Sequence, residues 1–179
     1  NSLWGGDGND SLLAYEGADS LSGDAGNDTL RGREGNDTLS GGPGSDSLHS
    51  GDGADVLTGG DGDDIVIGSI GEGWLSGGAG HDSLYGGSEN DTLSGGSGDD
   101  LLLGHGGSAN LLIETADTDL VLTDTRMTGL GNDELQSLQN ARLTGGDGDN
   151  LIDAAGFSGQ TTLVGGGGND TLNGGMVDD

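Results

Sequence analysis

Residues 5–13 read GGDGNDSLL, residues 14–22 AYEGADSLS, residues 23–31 GDAGNDTLR and residues 32–40 GREGNDTLS. The pattern continues as GGPGSDSLH (41–49), SGDGADVLT (50–58), GGDGDDIVI (59–67) and GSIGEGWLS (68–76). It runs on through GGAGHDSLY (77–85), GGSENDTLS (86–94), GGSGDDLLL (95–103) and GHGGSANLL (104–112). Counted without a slip, the sixth position holds Asp10, Asp19, Asp28, Asp37, Asp46, Asp55, Asp64, Gly73, Asp82, Asp91, Asp100 and Ala109. The eighth position is aliphatic throughout, from Leu3 and Leu12 to Leu102 and Leu111. A fixed short period is the signature of a solenoid.

Each nonapeptide divides its work. Glycines at the first, second and fourth positions permit positive φ and close backbone approach, so a tight turn fits in six residues. The last three residues form a short strand, with the eighth facing inward and the seventh and ninth, mostly Ser and Thr, facing solvent. Two nonapeptides make one 18-residue coil, and stacked coils pair their strands in parallel over a thin aliphatic column.

Composition agrees with this and excludes alternatives. The chain has 179 residues, of which 43 are Gly, with 29% apolar and 3% aromatic residues. That is too little for a layered core of large side chains. A net charge of −28 from 32 acidic and 4 basic residues excludes a nucleic-acid binder, which needs a basic face. Apolar runs such as Leu101-Leu102-Leu103 are far too short for a membrane span. Without cysteine there is no disulfide framework. Low hydrophobicity with high charge marks disorder in an aperiodic chain; the strict phase argues for order here.

The pattern G-G-x-G-x-D-x-U-x, over residues 1–112 and again over 145–179, resembles the RTX family, the hemolysin-type calcium-binding nonapeptide repeats. The resemblance implies an all-β fold, a right-handed parallel β-roll with Ca²⁺ lodged between successive coils. It further implies ligation by sixth-position carboxylates one coil apart, with Asn150 and Asp170 serving in the C-terminal coils. Turn carbonyls, those of Gly26, Gly42, Gly44, Gly60, Gly62 and Gly78, would complete each shell. The chemistry is consistent, since Ca²⁺ takes six to eight oxygen ligands in flexible geometry.

Positions 18 apart fall on one side of the roll. The first file then contains Asp10, Asp28, Asp46, Asp64, Asp82 and Asp100, and its five gaps are expected to hold five ions. The second contains Asn1, Asp19, Asp37, Asp55, Gly73, Asp91 and Ala109; here Asp19–Asp37 and Asp37–Asp55 are expected to bind, and the gaps beside Gly73 to stay empty or weakly filled. With the C-terminal turns, about seven to ten ions are expected. Without them the like charges repel and the small core cannot offset chain entropy.

Residues 113–144 lack the glycine turns and read as longer, calcium-free coils of the same solenoid, with strand-like pieces at Leu120-Val121-Leu122, Leu135, Leu138 and Ala141-Arg142-Leu143. Asp117, Asp119, Asp124 and Asp133 read as solvated acids. Residues 145–179 resume the motif, with residues 154–164 two residues over-long. One continuous solenoid of three stretches, 1–112, 113–144 and 145–179, is expected. His49, His81 and His105 share no repeat position, and no catalytic set is expected among the side chains. The NDS and NDT sequons at Asn9, Asn27, Asn36, Asn90 and Asn169 are accounted for by the repeat. Outward apolar residues gather at Ile65, Ile67, Tyr85, Leu101 and Leu103 on one side, and at Val56 and Trp74 on the other.

The sequence starts and stops at sixth positions, Asn1 and Asp179, so one end offers a strand where the other offers a turn. Head-to-tail stacking into a filament is the corresponding expectation, with calcium bridging Asp170 or Asp179 to Asn1 or Asp10 of the next copy. The functional expectation is a non-enzymatic, calcium-binding structural roll of a secreted or cell-surface protein. Its alternative is a calcium-folded accessory module of a larger RTX enzyme, toxin or adhesin.

Overall fold

The computed structural model describes residues 1–177. In chain order its strands are β1 (Ser2–Asp7), β2 (Ser11–Leu13), β3 (Ser20–Ala25), β4 (Thr29–Glu34), β5 (Thr38–Pro43), β6 (Ser47–Asp52) and β7 (Val56–Asp61). They continue as β8 (Ile65–Ile67), β9 (Trp74–Ala79), β10 (Ser83–Gly87), β11 (Thr92–Ser97), β12 (Leu101–His105), β13 (Leu111–Thr115) and β14 (Leu120–Thr123). The last are β15 (Arg126–Thr128), β16 (Asn132–Gln136), β17 (Asn140–Thr144), β18 (Leu151–Gly156), β19 (Gln160–Val164) and β20 (Thr171–Asn173). No helix occurs among the described residues.

Successive strands alternate between two sheets, one of nine strands (β1-β3-β5-β7-β9-β11-β13-β17-β19) and one of eleven (β2-β4-β6-β8-β10-β12-β16-β15-β14-β18-β20). Parallel register follows the 18-residue coil, pairing Leu21 with Leu39 and Leu30 with Leu48. The chain is thus a parallel β-solenoid. Its eighth-position residues from Leu21 to Leu102 form one column no more than 1% exposed, while Leu3 and Leu12 at the first rung are partly buried. Burying a leucine contributes about 2 kcal/mol, and each coil supplies two.

Three details differ from the sequence reading. Most strands of the array are five or six residues long rather than three, because the first glycines extend them; in β3 both Leu21 and Gly23 are buried. The phase also slips once. Leu93 pairs with Leu112, not Leu111, so Leu112 enters the core and Asn110 takes the sixth position expected for Ala109. The extra residue is absorbed in a turn where His105 (φ 55°) and Gly107 (φ 76°) adopt left-handed conformations.

The third difference lies within 113–144. The expected pieces do form β14, β16 and β17, but β15 runs antiparallel between β14 and β16. A three-stranded meander is therefore built into the longer coil expected here, while β13–β17 and β14–β18 keep the parallel stacking of the solenoid. Its turn is short: the Thr123 hydroxyl accepts from the Arg126 amide and donates to the Arg126 carbonyl. Leu120, Leu122 and Met127 fill the interior there.

On the outer surface the register aligns Ile67, Tyr85 and Leu103 in one row, with the Tyr85 ring stacked on His105 at 5.9 Å. Val56 and Trp74 pair on the other sheet and are about half exposed.

Candidate metal centre

The turns repeat one contact. In the first file Asp10 N–H donates to Asp28 Oδ1, Asp28 to Asp46, Asp46 to Asp64, Asp64 to Asp82 and Asp82 to Asp100, all at 2.7–2.8 Å. The second file repeats it from Asp19 to Asp37 (2.9 Å) and from Asp37 to Asp55 (2.8 Å). Gly73 has no carboxylate to offer Asp55, but its own N–H donates to Asp91 Oδ1. In the C-terminal coils Asn150 N–H donates to Asp170 Oδ1 at 2.9 Å. Each aspartate thereby ties its coil to the one before it, using one carboxylate oxygen.

The other oxygen is left over. Oδ2 of Asp10, Asp19, Asp28, Asp37, Asp46, Asp64, Asp82, Asp91 and Asp100 is buried with no hydrogen-bond partner. Except for Asp19, whose repeat begins with Ala14, it lies over the first-position glycine of its own repeat. A Cβ at Gly23 would overlap Asp28 Oδ2 and come within 2.8 Å of the Gly41 carbonyl oxygen. Gly41, Gly59 and Gly77 face Asp46, Asp64 and Asp82 in the same way, beside the carbonyls of Gly59, Gly77 and Gly95. At these positions the missing Cβ leaves an oxygen-lined space open. The carbonyls of Gly26, Gly42, Gly44, Gly60, Gly62 and Gly78 instead point along the stack, each at the corresponding glycine one coil on. The oxygens beside the carboxylates are first-position carbonyls, a set that sequence reasoning did not single out.

Acceptors without donors call for protons or cations. Burial pushes the Asp64 carboxyl up to about 7 and Asp82 to about 6, with neighbouring aspartates of the file adding to the shift. Asp37, Asp46, Asp91 and Asp100 move the same way, chiefly through burial. Asp19 moves down, because the amino group and side chain of Asn1 donate to it. Two charges one coil apart, about 4.8 Å, repel by roughly 3 kcal/mol at an effective dielectric constant near 20. That exceeds what one buried leucine returns, so a fully ionised file needs counter-ions. Hard, oxygen-only surroundings of carboxylates and carbonyls suit Ca²⁺. Among the described residues no three His, Cys, Asp or Glu side chains meet as a cage; each gap presents two carboxylates, with carbonyls as the remaining donors.

The structure also brings forward residues with no assigned role in the sequence reading. Fifth-position side chains form a second ladder of opposite sense: Asn9 Oδ1 accepts from Asn27 N–H, Asn27 from Ser45, Asn36 from Ala54 and Asp63 from His81. This explains the recurrent Asn-Asp pair. Asn110 replaces a carboxylate, accepting from Asp91 N–H, and its own N–H goes to Gln139. Asp117, Asp119 and Asp124 are exposed and each accepts a backbone N–H, from Gly148, Leu151 and Ser158. Asp133, expected in solvent, is completely buried. The signal was present in GLGNDELQ (129–136), which matches the nonapeptide from its second position but follows β15 of the meander rather than a strand of the array.

A family model for the RTX calcium-binding nonapeptide repeat matches residues 4–39, 40–75, 67–102, 76–109 and 155–179. No curated protein matches the chain. With the repeat model covering well over half of its length, and coils that stack as that repeat requires, the chain belongs to the RTX calcium-binding nonapeptide repeat family.

Proposed function

We propose that this chain is a calcium-folded structural roll of a secreted or cell-surface protein, with a scaffolding rather than a catalytic role. One observation carries the reading: a file of buried carboxylate oxygens that no protein donor satisfies. Ions in the five gaps from Asp10 to Asp100, in Asp19–Asp37 and Asp37–Asp55, and beside Asp170 would bring the total to about seven to ten. At +2 each they offset much of the −28 charge. Binding free energy then becomes folding free energy. The roll is unfolded at submicromolar calcium and folded at the millimolar levels outside cells. Far-UV circular dichroism of the purified chain tests this: excess chelator should abolish the β signal and added calcium restore it. An undiminished signal after complete calcium removal rejects the reading.

A second reading concerns assembly. Strands β1 and β19 lie at the outer edges of their sheet, and Leu172, an eighth-position residue on β20, is 44% exposed. Such an end rung is a surface for another coil, supplied by a longer array or by another copy stacked head to tail. A calcium bridge from Asp170 to Asp10 of a neighbouring copy fits the second case; Asp179, the other candidate, lies outside the described residues. Electron microscopy in millimolar calcium separates filaments from monomers. Strict monomers favour the accessory-module alternative, in which the roll supports an enzyme, toxin or adhesin.

A further inference from the structure

The first file does not stop at Asp100. Asp100 N–H donates to Asp133 Oδ1 at 3.1 Å, although the two are 33 residues apart. The whole turn is reproduced around this contact. Gly98 N–H donates to the Leu130 carbonyl, as Gly80 N–H does to Ser97. A Cβ at Gly131 would overlap the Gly98 carbonyl, as one at Gly98 would overlap Gly80. Asn132 N–H donates to Asp99 Oδ1, continuing the fifth-position ladder. Asp133 Oδ2 is buried without a partner, as is Asp100 Oδ2. This rung lies in the stretch that the repeat model leaves unmatched.

One residue breaks the likeness. Aligned with Gly95 on the neighbouring strand, where a coil of the array would carry glycine, stands Glu114, only 3% exposed. Its Oε1 accepts from Gly95 N–H at 2.6 Å and its Oε2 from the Ser94 hydroxyl at 3.3 Å. Asp100 Oδ2 lies against that same Gly95, 2.5 Å from where a Cβ would stand. Asp133 adds to the negative surroundings of Glu114. A third buried carboxylate thus lies beside the Asp100 rung, without joining the two aspartates in a cage.

We propose that the gap between Asp100 and Asp133 is an additional divalent-cation site, with these two aspartates as ligands, and that the nearby charge of Glu114 makes it the tightest calcium site of the roll. It rests on the calcium-roll reading above. Calcium entering here first ties the meander to the last rung of the array and offers a formed coil on which the remaining coils stack. Affinity for Ca²⁺ rises with the number of charged groups around it, so this rung leads the series.

Crystals of the full chain grown in calcium, with data collected for calcium anomalous scattering, read the gap without any substitution. A peak between Asp100 and Asp133, about 2.3–2.6 Å from carboxylate oxygens, is the expected result. Peaks in the repeat gaps with none here overturn the inference and leave the calcium-roll reading standing; no peak in any gap sinks that reading instead. In calcium titrations followed by native mass spectrometry, Asp133→Asn should carry one ion fewer than the unsubstituted chain, while retaining its acceptor for Asp100 N–H. Glu114→Gln should bind its first ion roughly tenfold more weakly, with exposed Asp7→Asn as the charge control. An unchanged ion count in Asp133→Asn overturns the site, and unchanged first-ion affinity in Glu114→Gln overturns its rank.

Discussion

From Gly95 to Asp100 the chain crosses between its two sheets in a single glycine-rich turn; from Glu114 to Asp133 the same crossing takes the whole β14–β15 excursion. The short crossing leaves almost no apolar surface to bury, so its coils meet through glycine backbone and paired carboxylates. The long crossing carries Leu120, Leu122 and Met127 into the interior and closes on its own antiparallel hydrogen bonds. Both arrive at a buried aspartate in the same register. The lesson is that the aspartate's position belongs to the stack, while the means of reaching it is free to vary.

Chelation should separate the two regions most. In hydrogen exchange with excess chelator, amides of residues 20–105 are expected to lose all protection, and those of β14–β16 to lose it last; uniform loss would erase the distinction. Acid should partly substitute for calcium. Asp64 is held near 7 against an ordinary 3.8, so its contribution to stability is full below about 3.8 and vanishes as pH rises through 7. The calcium-free chain should therefore gain β structure by circular dichroism as pH falls from 8 to 4, whereas a flat profile removes carboxylate repulsion as the barrier to folding.

Backbone changes come next in size. Gly44 has φ 139°, and a Cβ there would strike the Gly26 carbonyl, so Gly44→Ala should cost about 2–3 kcal/mol in calcium-saturated urea unfolding. Gly73→Asp restores the missing carboxylate of the second file and should add one or two ions by native mass spectrometry, the steric demands being a shift of the Leu75 side chain and a smaller one of the Asp91 carboxylate. An unchanged count would mean that a sixth-position carboxylate is not sufficient for binding. The smallest effect is expected from Asn27→Ala, which removes one acceptor on an exposed ladder, about 1 kcal/mol in the same urea assay.

The array was legible because its physics is local: a nine-residue period places Leu48 inside and Asp46 in a turn wherever the coil sits. Asn110 and Leu112 were misplaced by one residue because a left-handed His105 conformation is invisible in a count of spacings. Asp133 was misread for another reason. Its burial depends on a reversal of chain direction in β15, and a search for periodicity has no access to direction. Glu114 had no signal at all, since an isolated glutamate in LLIET looks like any outward residue until Gly95 is known to lie across from it.

Uniformity has its own hazard. Coils that repeat every 18 residues can align one step out of phase and still satisfy every leucine and every aspartate, so the array by itself cannot tell the right alignment from a shifted one. The meander, with Met127 and the nearby Phe157 at sites that no other coil duplicates, is the landmark against which the rest is indexed. Erasing that landmark would leave a protein that still winds, but without a unique place to begin.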